Sequence, residues 1–83
     1  MAKKLYVGNL PFQTDDNELR ETFARYGSVA SARVITDRET GRSRGFGFVE
    51  FDDAAAADEA IRGLDGSELG GRPLRVNEAR DRR

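Results

Sequence analysis

Eighty-three residues make one small domain, near the lower limit for folding without covalent staples. The chain has neither cysteine nor histidine, which excludes disulfides, thiolate metal sites, imidazole acid–base chemistry and the common zinc centres. A formal net charge of −1 speaks, taken alone, against a nucleic-acid ligand.

Residues 4–10, K-L-Y-V-G-N-L, alternate as a half-buried strand. Leu5 and Val7 face inward; Lys4, Tyr6 and Gly8 face outward. Gly8 keeps side-chain bulk away from its neighbours on the outer face, and Pro11 stops the strand. Thr14 or Asp15 caps a first helix, with Glu18 three residues after Asp15 and further acids in the first turn. Leu19, Phe23 and Tyr26 then recur at helical spacing as one apolar stripe, and Gly27 terminates the segment.

A second strand is expected over 29–36, with Val29, Ala32 and Val34 toward the core and Arg33 and Ile35 outward. Bringing Val29 into that set requires a slip or bulge near Ala30. The connection D-R-E-T-G-R-S, residues 37–43, is turn-rich and pivots on Gly41. Arg38, Arg42 and Arg44 make this edge basic, either as a solvated loop or as a phosphate contact.

Residues 44–51 read R-G-F-G-F-V-E-F. As a strand they place Arg44, Phe46, Phe48 and Glu50 on one face and Gly45, Gly47, Val49 and Phe51 on the other. Unpaired buried charge is costly, so the Gly/Val/Phe51 face is read as the core and the two phenylalanines as outward. From this octamer alone, a sheet buried on both faces stays open. The glycines suggest close approach by another element, here a helix. The expected second helix, 53–64, has a buried stripe of Ala57, Ala60, Ile61 and Leu64, and its small alanines match the octamer's glycines. Gly63 and Gly66 end it. Leu69 plugs the core from a short turn, Gly70-Gly71 bends the chain, and Leu74 and Val76 belong to a final strand with Arg75 and Asn77 outward.

The element order is β-α-β-β-α-β, an α+β sandwich with a four-stranded antiparallel sheet and two helices on one face. The opposite face is then open, and Tyr6, Phe46 and Phe48 form an exposed aromatic patch that calls for a partner. Charge follows the same division. The helical stretches 14–26 and 52–64 hold eight of the fifteen acids but only three of the fourteen bases, so the sheet side is the more basic and able to steer an anion. Residues 1–79 are read as the domain and 80–83 as a short basic tail. No apolar run approaches the roughly 20 residues of a membrane span, and Met1-Ala-Lys-Lys leads into a strand, not a signal peptide. The expected location is cytoplasmic, without a membrane partner.

The chain resembles the RNA recognition motif family. R-G-F-G-F-V-E-F matches the family's ribonucleoprotein octamer, and L-Y-V-G-N-L at 5–10 looks like its hexamer. The resemblance extends through D-x-x-T-G-x-x-R-G-F at 37–46 and G-R-P-L-R-V at 71–76. It implies a ferredoxin-like fold without cofactor, binding single-stranded RNA as a monomer, with single-stranded DNA as a second candidate ligand. By position, Tyr6 and Phe48 would each stack on a base, Phe46 would lie against sugars and Arg44 would contact phosphate. Lys4, Asn77, Arg80 and Arg42 are supplementary candidates, whereas Asn9 is read as a structural hydrogen bonder. With almost no extension, the chain looks most like the small single-motif bacterial RNA-binding proteins. The plant glycine-rich group is similar in its domain but carries a glycine tail.

Two other functions compete. Enzymes occur on the same topology, but without histidine, cysteine or an anion-cradling loop no catalytic set emerges. A protein-interaction module is the second alternative, favoured in this family when sheet aromatics are missing. Here all three are present.

Overall fold

In the computed structural model, which describes residues 2–79, the chain runs β1 (Lys3–Gly8), α1 (Asp16–Ala24), β2 (Val29–Thr36), β3 (Ser43–Phe51) and α2 (Ala54–Leu64). A two-residue ribbon, β4 (Glu68–Leu69) and β5 (Arg72–Pro73), precedes β6 (Arg75–Glu78). The basic tail expected at 80–83, including Arg80, lies outside the described residues. The longer strands form an antiparallel sheet in the order β2-β3-β1-β6. The two motif-bearing strands therefore lie side by side at its centre. Leu5, Val7, Val49, Phe51 and Val76 are fully buried on one face. Leu19 and Phe23 of α1, and Ala56, Ala57, Ala60 and Leu64 of α2, close over them as a single core. This is the expected ferredoxin-like sandwich with both helices on one side.

Local chemistry sets the helix ends. Asp15, not Thr14, caps α1, its Oδ1 accepting a hydrogen bond from the Glu18 amide at 2.8 Å. Tyr26 lies beyond α1, partly buried against the core. The helical layer also reaches the sheet edges: Asp16 Oδ1 accepts from the Val34 amide at 2.7 Å and Asp65 Oδ1 from the Val76 amide at 2.9 Å. Both edge strands thus have a backbone donor satisfied by a carboxylate.

Two irregularities in the β2–β3 pairing decide which side chains face outward. Val29 pairs with Phe51 and Ser31 with Glu50, so β2 advances two residues while β3 advances one. The extra residue, Ala30, is the expected bulge. It returns Val29 to the core side with Ala32 and Val34. Farther along, Val34 pairs with Gly47 and Thr36 with Ser43, so β3 gains four residues against two. An even excess leaves Ser43 and Gly47 on the same parity, with Arg44 and Gly45 inside the irregular stretch. Gly45, inside this irregularity, has φ +85°, a conformation costly for any residue with a Cβ.

The octamer glycines serve a different neighbour from the one expected. A Cβ on Gly47 would strike the Arg33 carbonyl oxygen and stand 3.1 Å from Val34 Cα, both backbone atoms of β2. Strand-to-strand approach, not a helix, excludes a side chain there. The alanine that does meet a glycine is Ala56, against Gly27. Gly63 likewise does not end α2 but lies inside it, under the Tyr26 ring. Leu74 is buried just before the last strand. Leu69 packs against the core from the ribbon, whose turn holds Gly70 and Gly71 at positive φ.

Candidate nucleic-acid interface

Strand register assembles a grid of side chains on the face away from the helices. Arg33, Phe48, Tyr6 and Asn77 are directly paired across β2, β3, β1 and β6 and form one row. The next row toward the chain start of β1 contains Ser31, Glu50 and Lys4. In the opposite direction lie Phe46, Gly8 and Arg75.

Tyr6, Phe46 and Phe48 are half-buried and mutually packed. Ring centroids are 5.8 Å apart for Tyr6–Phe46, 6.1 Å for Tyr6–Phe48 and 6.1 Å for Phe46–Phe48. Interplanar angles of 66° and 88° put Phe48 edge-on to Tyr6 and Phe46. Such arrangements hold rings without consuming every face in parallel stacking. Tyr6 is seated over Gly8, where a Cβ would come within 2.7 Å of the Tyr6 Oη. Lys4 Nζ lies 5.7 Å from the Phe48 centroid, a cation over the ring.

The sequence candidates within the described residues gather on this face or at its end. Lys4, Tyr6, Phe46, Phe48 and Asn77 belong to the grid. Arg44 and Arg42 are exposed where β3 begins, beside a connection held by Asp37, whose Oδ1 accepts from the Glu39 amide at 2.7 Å. Asn9 is structural as expected: its Nδ2 donates to the Pro73 carbonyl at 2.6 Å, and its φ is +60°. Lys3, by contrast, is drawn to the helical layer by Asp58 at 2.6 Å and Glu78 at 3.6 Å. Hydrogen bonding to Asp58 is the main cause raising its pKa above the ordinary 10.5.

Two residues absent from the sequence-derived set stand out. Arg33 is directly opposite Phe48; its outward parity was readable, but its neighbour depends on the β2–β3 register. Phe12 is 67% exposed beyond the end of β1, with the Arg72 guanidinium 5.7 Å from its ring. It sits in a loop without periodicity, and only its apolar character in a polar segment signals it.

The described surface is thus an aromatic platform at the centre of a sheet, fringed by cations. The RNA recognition motif model matches residues 5–75, a range that contains both the hexamer at 5–10 and the octamer at 44–51. Glycine-rich RNA-binding protein 2, mitochondrial, of Arabidopsis thaliana is 58% identical over 99% of this chain, which spans about half (52%) of that protein. RbpE of Nostoc, a protein named for RNA binding, is 54% identical over 94% of this chain and 79% of its own length. The crystal structure of RNA binding protein PG1 superposes with a TM-score of 0.92 at 52% identity, covering 98% of each chain. The chain belongs to the RNA recognition motif family.

Proposed function

We propose that the chain is a non-catalytic module that binds single-stranded RNA across the open sheet face. Tyr6 and Phe48 each stack on a base, Phe46 packs against the intervening sugars and Arg44 contacts phosphate. Lys4, Arg42 and Asn77 supply contacts around this centre, and Arg80 extends them beyond the described residues. The observation that carries this reading is the half-buried aromatic triad on the face without helices. Aromatic platforms hold unpaired bases by π-stacking, which duplex bases cannot offer. One copy presents the whole platform, so we take a single chain as the binding unit. The similar proteins named for RNA binding support the ligand class. The similar proteins include mitochondrial, chloroplastic and cyanobacterial ones, so they do not support the cytoplasmic expectation over an organellar location.

The test is a titration with short single-stranded RNA, duplex RNA and single-stranded DNA. Single-stranded RNA should bind and duplex should not. Each stack contributes about 1–3 kcal/mol by alanine substitution, so Tyr6→Ala and Phe48→Ala should weaken binding roughly 5- to 150-fold. Unchanged affinity in both variants, with unchanged circular dichroism, would overturn the sheet-face assignment.

A further inference from the structure

We propose that the Phe48 position selects guanine, with Glu50 reading its Watson–Crick edge and Arg33 its Hoogsteen edge. This rests on the stacking role given to Phe48 above. Beside that ring, a cavity of about 420 Å3 runs along the β2 edge of the sheet, lined on the open face by Lys4, Arg33, Phe48 and Glu50 and at its far side by Asp16 and Arg20 of α1. Arg33 is the cross-strand partner of Phe48, and Glu50 follows two residues later on the same face. A base lying on Phe48 therefore has a guanidinium on its β2 side and a carboxylate along β3.

Glu50 is the feature that demands explanation. A carboxylate on a surface that receives a polyanion opposes binding unless it accepts hydrogen bonds from the ligand. Lys4 is its cross-strand partner, yet Lys4 Nζ lies over the Phe48 ring. Among the described residues Glu50 has no ion pair; the two ion pairs found there both belong to Lys3. Its two oxygens can only accept, while Arg33 can only donate. Guanine alone among the four bases offers two adjacent N–H donors, N1 and N2, on one edge and two adjacent acceptors, O6 and N7, on another. Arginine bridges the latter pair bidentately. Uracil, cytosine and adenine each leave one of the two protein groups with a single contact or none.

The experiment measures affinity for octauridine and for the same octamer with one central G, A, C, inosine or 7-deazaguanine. The G octamer should bind about 5- to 150-fold more tightly than the A or C octamers, the span of one good bidentate contact. Inosine, lacking the N2 amine, and 7-deazaguanine, lacking N7, should each lose part of that advantage. Glu50→Gln should abolish the guanine–inosine difference while strengthening octauridine binding, because a negative charge leaves the face. Arg33→Ala should abolish the guanine–7-deazaguanine difference. Equal affinity for all octamers, or a guanine preference untouched by both substitutions, overturns the inference but leaves RNA binding intact. Failure of every RNA to bind the folded protein overturns the proposed function and this inference together.

Discussion

The Tyr6 ring occupies the space that a side chain on Gly8 would need, with Oη and Cε2 at 2.7 and 2.9 Å from the position of a Cβ there. Ring orientation on the platform is therefore set from two residues along the same strand. The obstacle is a side chain, not backbone, so Gly8→Ala should displace the ring without breaking the sheet. Replacing a strand glycine by alanine also gains about 0.5–1 kcal/mol of backbone entropy. We expect Gly8→Ala to melt at or slightly above the parent while binding single-stranded RNA less well. Its loss should not exceed that of Tyr6→Ala, and it should have little further effect in the Tyr6→Ala background. Additive losses in the double variant would show that Gly8 acts independently of Tyr6.

Parity along β3 separates binding from stability. Phe51 is fully buried, its ring 6.3 Å from that of Phe23, whereas Phe46 is half-buried on the opposite face. Phe51→Ala should cost about 3–5 kcal/mol, a large share of a small domain's stability. Phe46→Ala should cost well under half of that and should weaken RNA binding. Urea melts of both variants check the assignment, and equal losses would contradict an open face.

Much of this arrangement was legible because alternation is a local property. Charge and aromatic placement in the β3 octamer pointed to its faces, and the β-α-β-β-α-β order then left one of them open. The core positions of β2 demanded an odd slip near Ala30 that the pairing shows. Asn9 was correctly read as structural. What escaped depends on strand order and register, which link residues far apart in the chain. The glycine at 47 signalled a close neighbour, but periodicity could not tell that the neighbour was the β2 backbone and not a helix. Arg33 was placed outward, yet its position beside Phe48 follows only once β2 is registered against β3.

Lys3 makes stability depend on pH at the alkaline end. Its folded-state pKa is raised, chiefly by the hydrogen bond to Asp58. A raised lysine pKa means that the charged form is favoured by folding. The contribution is therefore fully present below the unfolded value near 10.5 and is lost as pH rises through the folded value. Lys3→Met should lower the urea midpoint near neutral pH, and the gap to the parent should close above about pH 10.5. The pair is solvent-accessible, so the effect should also shrink with added salt. A gap that persists at high pH would assign the role of Lys3 to packing of its stem.

Salt dependence tests how much of the affinity is electrostatic. The acids concentrated on the helices discourage wrapping of RNA around the domain, and Lys3 is committed to Asp58 and Glu78 on the helical side. Among the described residues, the cations near the platform include Lys4, Arg33, Arg75 and the arginines where β3 begins. If roughly two to four of them neutralise phosphates, the slope of log K against log salt for a single strand should be about −1.4 to −2.8. Arg44→Ala should reduce its magnitude by up to about 0.7. Its affinity loss should be similar for every RNA sequence, since a phosphate contact carries no base information. Phe48→Ala should instead lower affinity with little change in slope, because stacking releases no counterions. A slope steeper than about −5, corresponding to roughly seven neutralised phosphates, would require more cations than the five described residues Lys4, Arg33, Arg42, Arg44 and Arg75. Binding would then have to be credited to a wider basic surface and not to Tyr6, Phe46 and Phe48.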